Sequence, residues 1–284
     1  MKIISMVNKK GGTGKTSSVS TLAYLVSTFG KKVLLVDLDP QKNLTSLYNA
    51  NSDKNIGTIF NMFNYQMTYE SIKDVITKTS YENIDIISGF EDLDELIDLV
   101  TIDQRRIPQL ILKNALSLIE QDYDYIFIDN TPYFNLLTRN GLCAATDVLI
   151  PVDCNGFSYE GLNKLLTKIR EIKRELNPTL NIAGIFLTKV NMQTNIYKEL
   201  KEEYRKEMGT VFMESSIRLD NSINESNTVY IPLPQYKKNR SNSLKDYRSL
   251  LYELDILDST SKELLKVQID ETSKGVVKKW KDLV

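Results

Sequence analysis

The chain has 284 residues, of which 42% are hydrophobic and 26% charged, and its formal net charge is −1. This composition is typical of a globular protein with a substantial core, and no apolar run reaches the roughly 18 residues of a membrane-spanning helix. The absence of histidine excludes histidine-based acid–base catalysis and most zinc sites, and two cysteines without metal spacing argue against a disulfide framework. No secretory segment follows Met1, so we expect a cytoplasmic protein. With a charge near zero, nucleic-acid binding would require a local basic patch.

Short apolar runs alternate with longer helical patterns along the chain. Most of these runs are continuous Ile/Val/Leu stretches, which is typical of strands buried on both faces of a parallel sheet. The predicted strands span Lys2 to Val7, Lys32 to Leu38, Ile84 to Ile87, Tyr125 to Asp129, Val148 to Val152 and Ile182 to Thr188. The predicted helices span Thr16 to Phe29, Arg106 to Glu120, Tyr159 to Leu176, Asn195 to Met208, Ser243 to Leu254 and Ser259 to Leu283. The alternation predicts a doubly wound α/β fold with a mostly parallel sheet flanked by helices.

Between the sixth strand and the last two helices lies the least regular stretch. Asp220 to Asn242 is rich in Asn and Ser and contains Pro232 and Pro234, which predicts a long surface loop. No internal repeat or low-complexity linker divides the chain. We therefore expect one α/β domain over residues 1–258, with residues 259–284 as its C-terminal helical tail.

The segment NKKGGTGKTSS, Asn8 to Ser18, has the context of a phosphate-binding loop, because it follows a predicted strand and precedes a predicted helix. Its glycines allow backbone N–H groups to turn toward a ligand, and the following helix N-terminus favours an anion. We expect Lys15 to reach the β- and γ-phosphates of a nucleotide and the Thr16 hydroxyl to bind Mg²⁺. The alternative is a flexible Gly/Lys turn. Lys9 stands where the ordinary pattern has glycine.

Two further segments end in carboxylates at the same predicted sheet edge. VLLVDLDPQ ends the second strand with Asp37 and Asp39, and YDYIFID delivers Asp129. Ligands of open α/β sheets bind where the carboxyl ends of the strands meet. Asp39 can orient an attacking water or hold the water shell of a metal, and Asp129 can bind Mg²⁺ through water. Each segment alone is also compatible with a simple strand-ending turn, but together with the loop they predict a nucleotide site.

These motifs together resemble the ParA/MinD group of deviant Walker-type ATPases, and more closely the ParA (Soj-like) DNA-partition ATPases that lack an N-terminal helix-turn-helix. The family's K-G-G-x-G-K-[ST] is matched by Lys10 to Thr16, V-D-x-D-P-Q by Val36 to Gln41 and Y-D-x-I-x-I-D by Tyr123 to Asp129. The similarity extends to about Leu254. The sequence departs from the family in having Asn130-Thr131 before Pro132 and in lacking the proline between Ile217 and Arg218.

The resemblance implies an ATP- and Mg²⁺-dependent ATPase, slow and stimulated by a partner, that forms a homodimer with ATP. In this family the lysine matched by Lys10 crosses the dimer to the phosphates bound by the other subunit. The implied catalytic residues are Lys10, Lys15 and Asp39, and the implied metal site is Thr16, Asp39 and Asp129. The implied nucleotide-binding residues are Lys10, Gly11, Gly12, Thr13, Gly14, Lys15, Thr16 and Ser17, with adenine contacts at Asn191 and Pro232. Lys9 is interpreted as a solvated lysine.

The resemblance also implies a nucleoid-associated protein that binds DNA non-specifically in its ATP state. Such a protein segregates a plasmid or chromosome together with a ParB-type centromere-binding partner. A basic cluster near the C-terminus supplies candidate phosphate contacts, although it is equally compatible with a solvated surface: Lys237, Lys238, Arg240, Lys245 and Arg248.

The C-terminal sequence KGVVKKWKDLV favours an alternative function. Val276, Val277, Trp280, Leu283 and Val284 share one helical face and lysines occupy the rest, the pattern of a basic interfacial helix. A MinD-like ATPase binds membrane through such a tail. Since short amphipathic helices more often cover a core, we do not expect a membrane partner.

A third class, the iron–sulfur ATPases, needs a cysteine just after the third motif. Asn130-Thr131 occupy that place, so Cys143 and Cys154 are expected only to pack.

Overall fold

The structure is a computed structural model that describes residues 1–48, 58–64, 67–91, 107–154, 159–237 and 241–273. Its strands are β1 (Lys2–Met6), β2 (Val33–Asp37), β3 (Ile76–Lys78), β4 (Ile84–Ile87), β5 (Tyr125–Asp129), β6 (Asp147–Asp153) and β7 (Asn181–Thr188). They form one seven-stranded sheet in the order β3-β4-β2-β5-β1-β6-β7. Neighbouring strands are parallel except β3 and β4, which are antiparallel. The predicted doubly wound, mostly parallel sheet is confirmed.

Helices connect these strands and close the chain. They are α1 (Lys15–Ser27), α2 (Asn43–Leu47), α3 (Ile59–Asn64), α4 (Tyr69–Asp74), α5 (Ile111–Ser117), α6 (Leu136–Ala144), α7 (Tyr159–Glu175), α8 (Asn195–Met208), α9 (Asn221–Thr228), α10 (Leu233–Lys237), α11 (Asn242–Glu253) and α12 (Ser259–Ser273). Short 3₁₀ helices lie at Pro108–Leu110 and Gly209–Val211. Within the described ranges, no helix is both long and apolar enough to cross a membrane.

The predicted long loop at Asp220 to Asn242 is wrong, because this stretch contains α9 and α10. Asp220 caps α9, since its Oδ1 accepts a hydrogen bond from the backbone N–H of Ser222 at 2.8 Å. Its Oδ2 accepts hydrogen bonds from the Ser241 and Ser243 hydroxyls at the start of α11. These hydrogen bonds hold the pKa of Asp220 well below its usual range. Side chains cap the N-termini of α9 and α11, and the mostly polar sequence of α9 shows little apolar periodicity.

Other element boundaries also differ from the predictions. The predicted helix from Arg106 to Glu120 is the 3₁₀ helix followed by α5, which ends at Ser117. The last predicted helix is described only to Ser273, and the amphipathic segment KGVVKKWKDLV lies outside the described residues.

Both faces of the sheet are covered by apolar side chains, which explains the continuous apolar runs. Along β2, Leu34 and Val36 belong to one buried cluster, and Val33 and Leu35 belong to the other. The first cluster includes side chains of α5, α6 and α7, and the second includes α1, α11 and Leu265 of α12. Burial on both faces leaves only the ends of the strands for polar side chains.

A buried asparagine follows β5 and determines how closely α6 approaches the sheet. Asn130 Nδ2 donates to Ser5 Oγ at 2.8 Å and to the Met6 carbonyl at 2.9 Å. A Cβ placed on Gly141 of α6 would lie 2.3 Å from Asn130 Oδ1. Only glycine at position 141 therefore allows α6 to pack against this asparagine without a shift.

Gly141→Ala is expected to lower the free energy of unfolding by about 1–3 kcal/mol, because the new methyl group overpacks Asn130. In an open helix interior the same change is stabilising by roughly 1 kcal/mol, so the sign of the effect tests the packing. Urea denaturation measures it. In a protein that already carries Asn130→Ala, Gly141→Ala should lower the free energy of unfolding by less than it does in the wild type. A stabilised Gly141→Ala protein would contradict this packing argument.

Candidate nucleotide-binding site

The loop from Asn8 to Gly14 joins β1 to α1 at the carboxyl edge of the sheet. Gly12 and Gly14 have φ angles of +71° and +85°, which glycine adopts readily and other residues do not. Because α1 begins at Lys15, the free N–H groups of its first turn lie at the end of this loop. The glycines at positions 12 and 14 are thus required by the backbone, and the loop ends at a helix terminus that favours anions.

Neighbouring strands hold the loop in place. Asn8 Nδ2 donates to the Pro151 carbonyl in β6 at 2.6 Å, and Asn8 Oδ1 accepts from the Lys10 N–H at 3.0 Å. Thr188 Oγ1, at the end of β7, donates to the Thr13 carbonyl at 2.9 Å in a buried hydrogen bond. The loop is therefore tied to β6 and β7 as well as to β1.

The lysines of the loop lie in different environments. Lys15 is buried, and its Nζ donates to the Lys10 carbonyl at 3.4 Å. Burial lowers the pKa of Lys15, while the charges of Asp129 and Asp39 oppose this shift. Lys10 is 39% exposed, and its Nζ lies 3.7 Å from Asp153 Oδ2 at the end of β6. Lys9 is exposed, as predicted, with its Nζ 5.7 Å from the centre of the Phe134 ring.

Asp129, like Asp37, is a fully buried carboxylate of the site. Thr16 Oγ1 donates to its Oδ2 at 2.6 Å, whereas Oδ1 has no hydrogen-bond partner in the described part of the chain. Burial raises the pKa of Asp129 to about 8, and the charge of Asp37 adds to this shift. An unsatisfied carboxylate oxygen beside a threonine hydroxyl fits the oxygen ligands of a hydrated Mg²⁺.

Asp37 and Asp39 serve different purposes although they are two residues apart. The Asp37 carboxylate accepts from the Thr45 N–H and hydroxyl at 2.9 and 2.7 Å and from the Asp39 N–H at 3.1 Å. Burial raises its pKa to about 6. Asp39 instead lines the cavity described below, and its Oδ1 accepts from the Gln41 N–H at 3.0 Å. Asp37 therefore positions the turn that presents Asp39.

A cavity of about 770 Å³ opens at this edge. The loop, the start of α1 and Asp39 line one side of it: Gly11, Gly12, Gly14, Lys15, Thr16 and Ser17 contribute from the loop and α1. The opposite side is formed after β7 and by α9, where it is lined by Lys189, Arg218, Leu219, Asp220, Ile223, Asn224, Asn227 and Tyr230. Asn227 Nδ2 donates to Ser17 Oγ at 3.2 Å and so joins the two sides. This volume lies within the range of small-molecule sites.

The two predicted adenine contacts do not line this cavity. Asn191 is exposed, and its Oδ1 accepts from the Gln193 N–H at 3.2 Å within a turn. Pro232 is buried, and its carbonyl accepts from the N–H groups of Gln235 and Tyr236 in α10. The cavity wall of α9 was missed because a loop was predicted there. The presence of Asp220, a residue type that often caps helix N-termini, was the sequence signal that could have revealed α9.

The basic residues near the C-terminus do not form one exposed set. Arg248 is only 3% exposed, so its prediction as a DNA contact is wrong. The reason is helical periodicity, since Arg248 lies four residues after the buried Leu244 on the inner face of α11. Lys237 Nζ lies 2.9 Å from Glu225 Oε2, and Lys245 is exposed. Lys238 and Arg240 lie outside the described residues.

The two cysteines pack, as predicted. Cys143 is buried in a core cluster, and Cys154 is partly buried against the same cluster.

Comparison with known proteins gives a consistent result over most of the chain. A family model described as an AAA domain matches residues 1–182. The sporulation initiation inhibitor protein Soj of Bacillus subtilis is 35% identical over 77% of this chain and 86% of its own. The chromosome partitioning protein ParA of Myxococcus xanthus is 34% identical over 77% of each chain.

Two solved structures also have folds similar to that of this chain. A plasmid partition protein from Borrelia burgdorferi superimposes with a TM-score of 0.66 at 26% identity, covering 88% of this chain and 96% of its own. Cobyrinic acid a,c-diamide synthase from Mycobacterium smegmatis, with a bound ATP analogue and magnesium, has a TM-score of 0.67 at 26% identity over 73% and 80% of the two chains.

Asp129→Asn tests how much the buried, charged carboxylate lowers the stability of the protein. Because its pKa is raised from the usual value of about 4, the folded state holds more protons than the unfolded state between about pH 4 and 8, and wild-type stability falls as pH rises through this window. Without nucleotide, Asp129→Asn is therefore expected to be more stable than the wild type by roughly 1–2 kcal/mol near pH 8.5, and the difference should shrink near pH 5.

Urea denaturation at both pH values provides the measurement. Asp74→Asn, at an exposed position, is the matched control and should show no such pH dependence. A loss of stability in Asp129→Asn of equal size at both pH values would show that the carboxylate is not under electrostatic strain.

Proposed function

The chain belongs to the ParA/MinD group of deviant Walker-type ATPases, within the AAA-domain family that matches residues 1–182, and we propose that it is an ATP-dependent DNA-partition ATPase. In this proposal the ATP-bound protein dimerises and binds DNA without sequence preference on the nucleoid. A ParB-type centromere-binding partner stimulates hydrolysis, and the cycle segregates a plasmid or chromosome. The single observation that carries the nucleotide part is the convergence of Lys15, Thr16 and Asp39 on one cavity beside the glycine loop, with the buried Asp129 directly behind Thr16.

The residues of this cavity suit phosphoryl transfer, which depends on positioning and charge more than on covalent chemistry. The Gly12–Gly14 turn and the start of α1 supply N–H donors for the phosphates, and Lys15 supplies a buried cation. Thr16 and Asp129 hold the oxygens that fit Mg²⁺, with Asp39 at the outer water shell. Bound Mg²⁺ would neutralise charge on the β- and γ-phosphates. Asp39, presented at the cavity by Asp37, would orient the attacking water.

Lys10 is proposed to act across a dimer. In the subunit its ammonium lies near Asp153, in a pair that is 39% exposed on the lysine side. An ion pair of this exposure contributes about 0–1 kcal/mol, so exchanging Asp153 for a phosphate costs little. A lysine from each subunit would offset the repulsion between two triphosphates that face each other. ATP, which carries one more phosphate than ADP, would then favour the dimer.

Lys10→Gln should weaken ATP-dependent dimerisation by about tenfold or more while leaving ADP affinity within about twofold, since the lost charge-assisted contact belongs to the partner's nucleotide. Sedimentation equilibrium with a non-hydrolysable ATP analogue measures the first quantity, and calorimetry with ADP measures the second. Lys9→Gln is the matched control, because it removes the same charge from the neighbouring exposed residue. If ADP affinity fell as far as dimerisation in Lys10→Gln, Lys10 would act within its own subunit.

The DNA-binding part of the proposal is supported by the similarity to partition proteins and by Lys245, which is exposed. Lys245 is exposed on α11, and Lys237 is ion-paired with Glu225 at the end of α10. Dimerisation would double a patch that is weak in one subunit, and phosphate contacts of this kind carry no sequence preference.

The protein should cosediment with plain DNA in the presence of ATP but not with ADP or without nucleotide. Lys245→Gln should lower DNA affinity and reduce the slope of log K against log salt by roughly 0.9, the effect of one lost phosphate contact. Lys198→Gln, an equal charge change on the exposed side of α8, is the control.

A parallel assay replaces the DNA with anionic liposomes. ATP-dependent retention on liposomes but not on DNA would favour the MinD-like alternative, whose amphipathic segment lies outside the described residues.

A further inference from the structure

Lys189 is a lysine held in an unusual backbone conformation at the nucleotide cavity. It directly follows Thr188, the last residue of β7, and has a φ angle of +55°. Non-glycine residues adopt this left-handed conformation rarely, and asparagine and aspartate do so more readily than lysine. Such a conformation persists only where the surroundings impose it, and it is frequent at ligand sites. Here the Thr188 hydroxyl fixes the end of β7 to the Thr13 carbonyl.

The ammonium group of Lys189 stands over the glycine loop. Its Nζ lies 3.7 Å from the point that a Cβ on Gly12 would occupy, and Lys189 lines the cavity together with that loop. A side chain at position 12 would therefore meet this ammonium. The backbone at Lys189 turns the side chain toward the loop, although the residue is otherwise exposed.

The charge of Lys189 is left without a counter-charge in the described part of the chain. Lys10 lies near Asp153, and Lys15 is close to Asp129 and Asp39, but no carboxylate among the described residues lies within ion-pair distance of Lys189 Nζ. Two lysines, Lys15 and Lys189, line the cavity, and among the described residues no carboxylate forms an ion pair with Lys189. An exposed cation beside a glycine loop and a helix N-terminus adds to the attraction that this site offers to an anion.

We propose that Lys189 is a nucleotide-binding residue that supplies a cation, in the same subunit, to the polyphosphate of the bound nucleotide. This assignment rests on the proposed nucleotide function and adds to it a residue outside the three sequence motifs. It separates two kinds of lysine at the site. Lys10 acts across the dimer and distinguishes ATP from ADP, whereas Lys189 acts within the subunit and strengthens the binding of both nucleotides.

The test replaces Lys189 with asparagine, which tolerates the left-handed backbone but carries no charge. Calorimetry with Mg²⁺ and either ADP or the analogue AMPPNP should show Kd raised about tenfold for both nucleotides, the scale of one charge-assisted hydrogen bond that is partly open to solvent. The increase should not depend on protein concentration. Lys189→Arg should retain most of the affinity. The nucleotide-free Tm of Lys189→Asn should equal or exceed that of the wild type, because the backbone strain is relieved.

Lys42→Asn is the matched control. Lys42 is also a lysine with a left-handed backbone, with a φ angle of +52°, but its ammonium pairs with Glu91 and it does not line the cavity. Its nucleotide affinities should stay within about twofold of the wild type. Wild-type affinities in Lys189→Asn, or an equal loss in Lys42→Asn, would overturn the assignment of Lys189 alone. A wild-type protein that binds neither nucleotide would overturn the proposed function itself, and this assignment with it.

Discussion

The burial of two carboxylates side by side at the carboxyl edge of the sheet is the constraint on which this site depends. The register of β2 and β5 pairs Asp37 with Asp129, and neither side chain is exposed. Asp37 is satisfied by three hydrogen bonds from Thr45 and Asp39, whereas Asp129 receives only the one from Thr16. Because Asp129 has fewer hydrogen bonds than Asp37, its Oδ1 remains a buried acceptor without a partner among the described residues, beside the glycine loop. A cation that fills this place recovers the energy that burial costs.

Around this acceptor the loop is held by strands that are far apart in the sequence. Asn8 joins it to β6 and Thr188 joins it to β7, so that the loop cannot move independently of the sheet. The same strand ends determine the surroundings of the lysines. Asp153 at the end of β6 lies beside Lys10, and Lys189 after β7 lies over Gly12. The positions of Lys10 and Lys189 therefore depend on the ends of two different strands, β6 and β7.

The far wall of the cavity is a helix built from capping interactions and polar side chains. On α9, Asn227 contacts Ser17 at the start of α1, and Glu225 lies beside Lys237 at the end of α10. Tyr236 also donates to Glu225 at 3.2 Å. One short helix therefore contacts both the start of α1 and Lys237, the basic residue of α10. The contact of Asn227 with α1 and the ion pair of Glu225 with Lys237 thus start from positions two residues apart on α9.

The fold class and the three motifs could be predicted from the sequence, because continuous apolar strands and a glycine-rich strand–loop–helix unit depend on local chemistry. The sequence also placed Lys15, Thr16, Asp39 and Asp129 at one edge, since parallel strands end together. Which charged side chains are accessible to a ligand could be learned only from the folded chain. The periodicity of α11 buries Arg248, the register of β2 and β5 separates the roles of Asp37 and Asp39, and the left-handed turn after β7 brings Lys189 to the loop. These outcomes depend on contacts between residues far apart in the sequence or on backbone angles. Neither leaves a periodic signal in a single sequence.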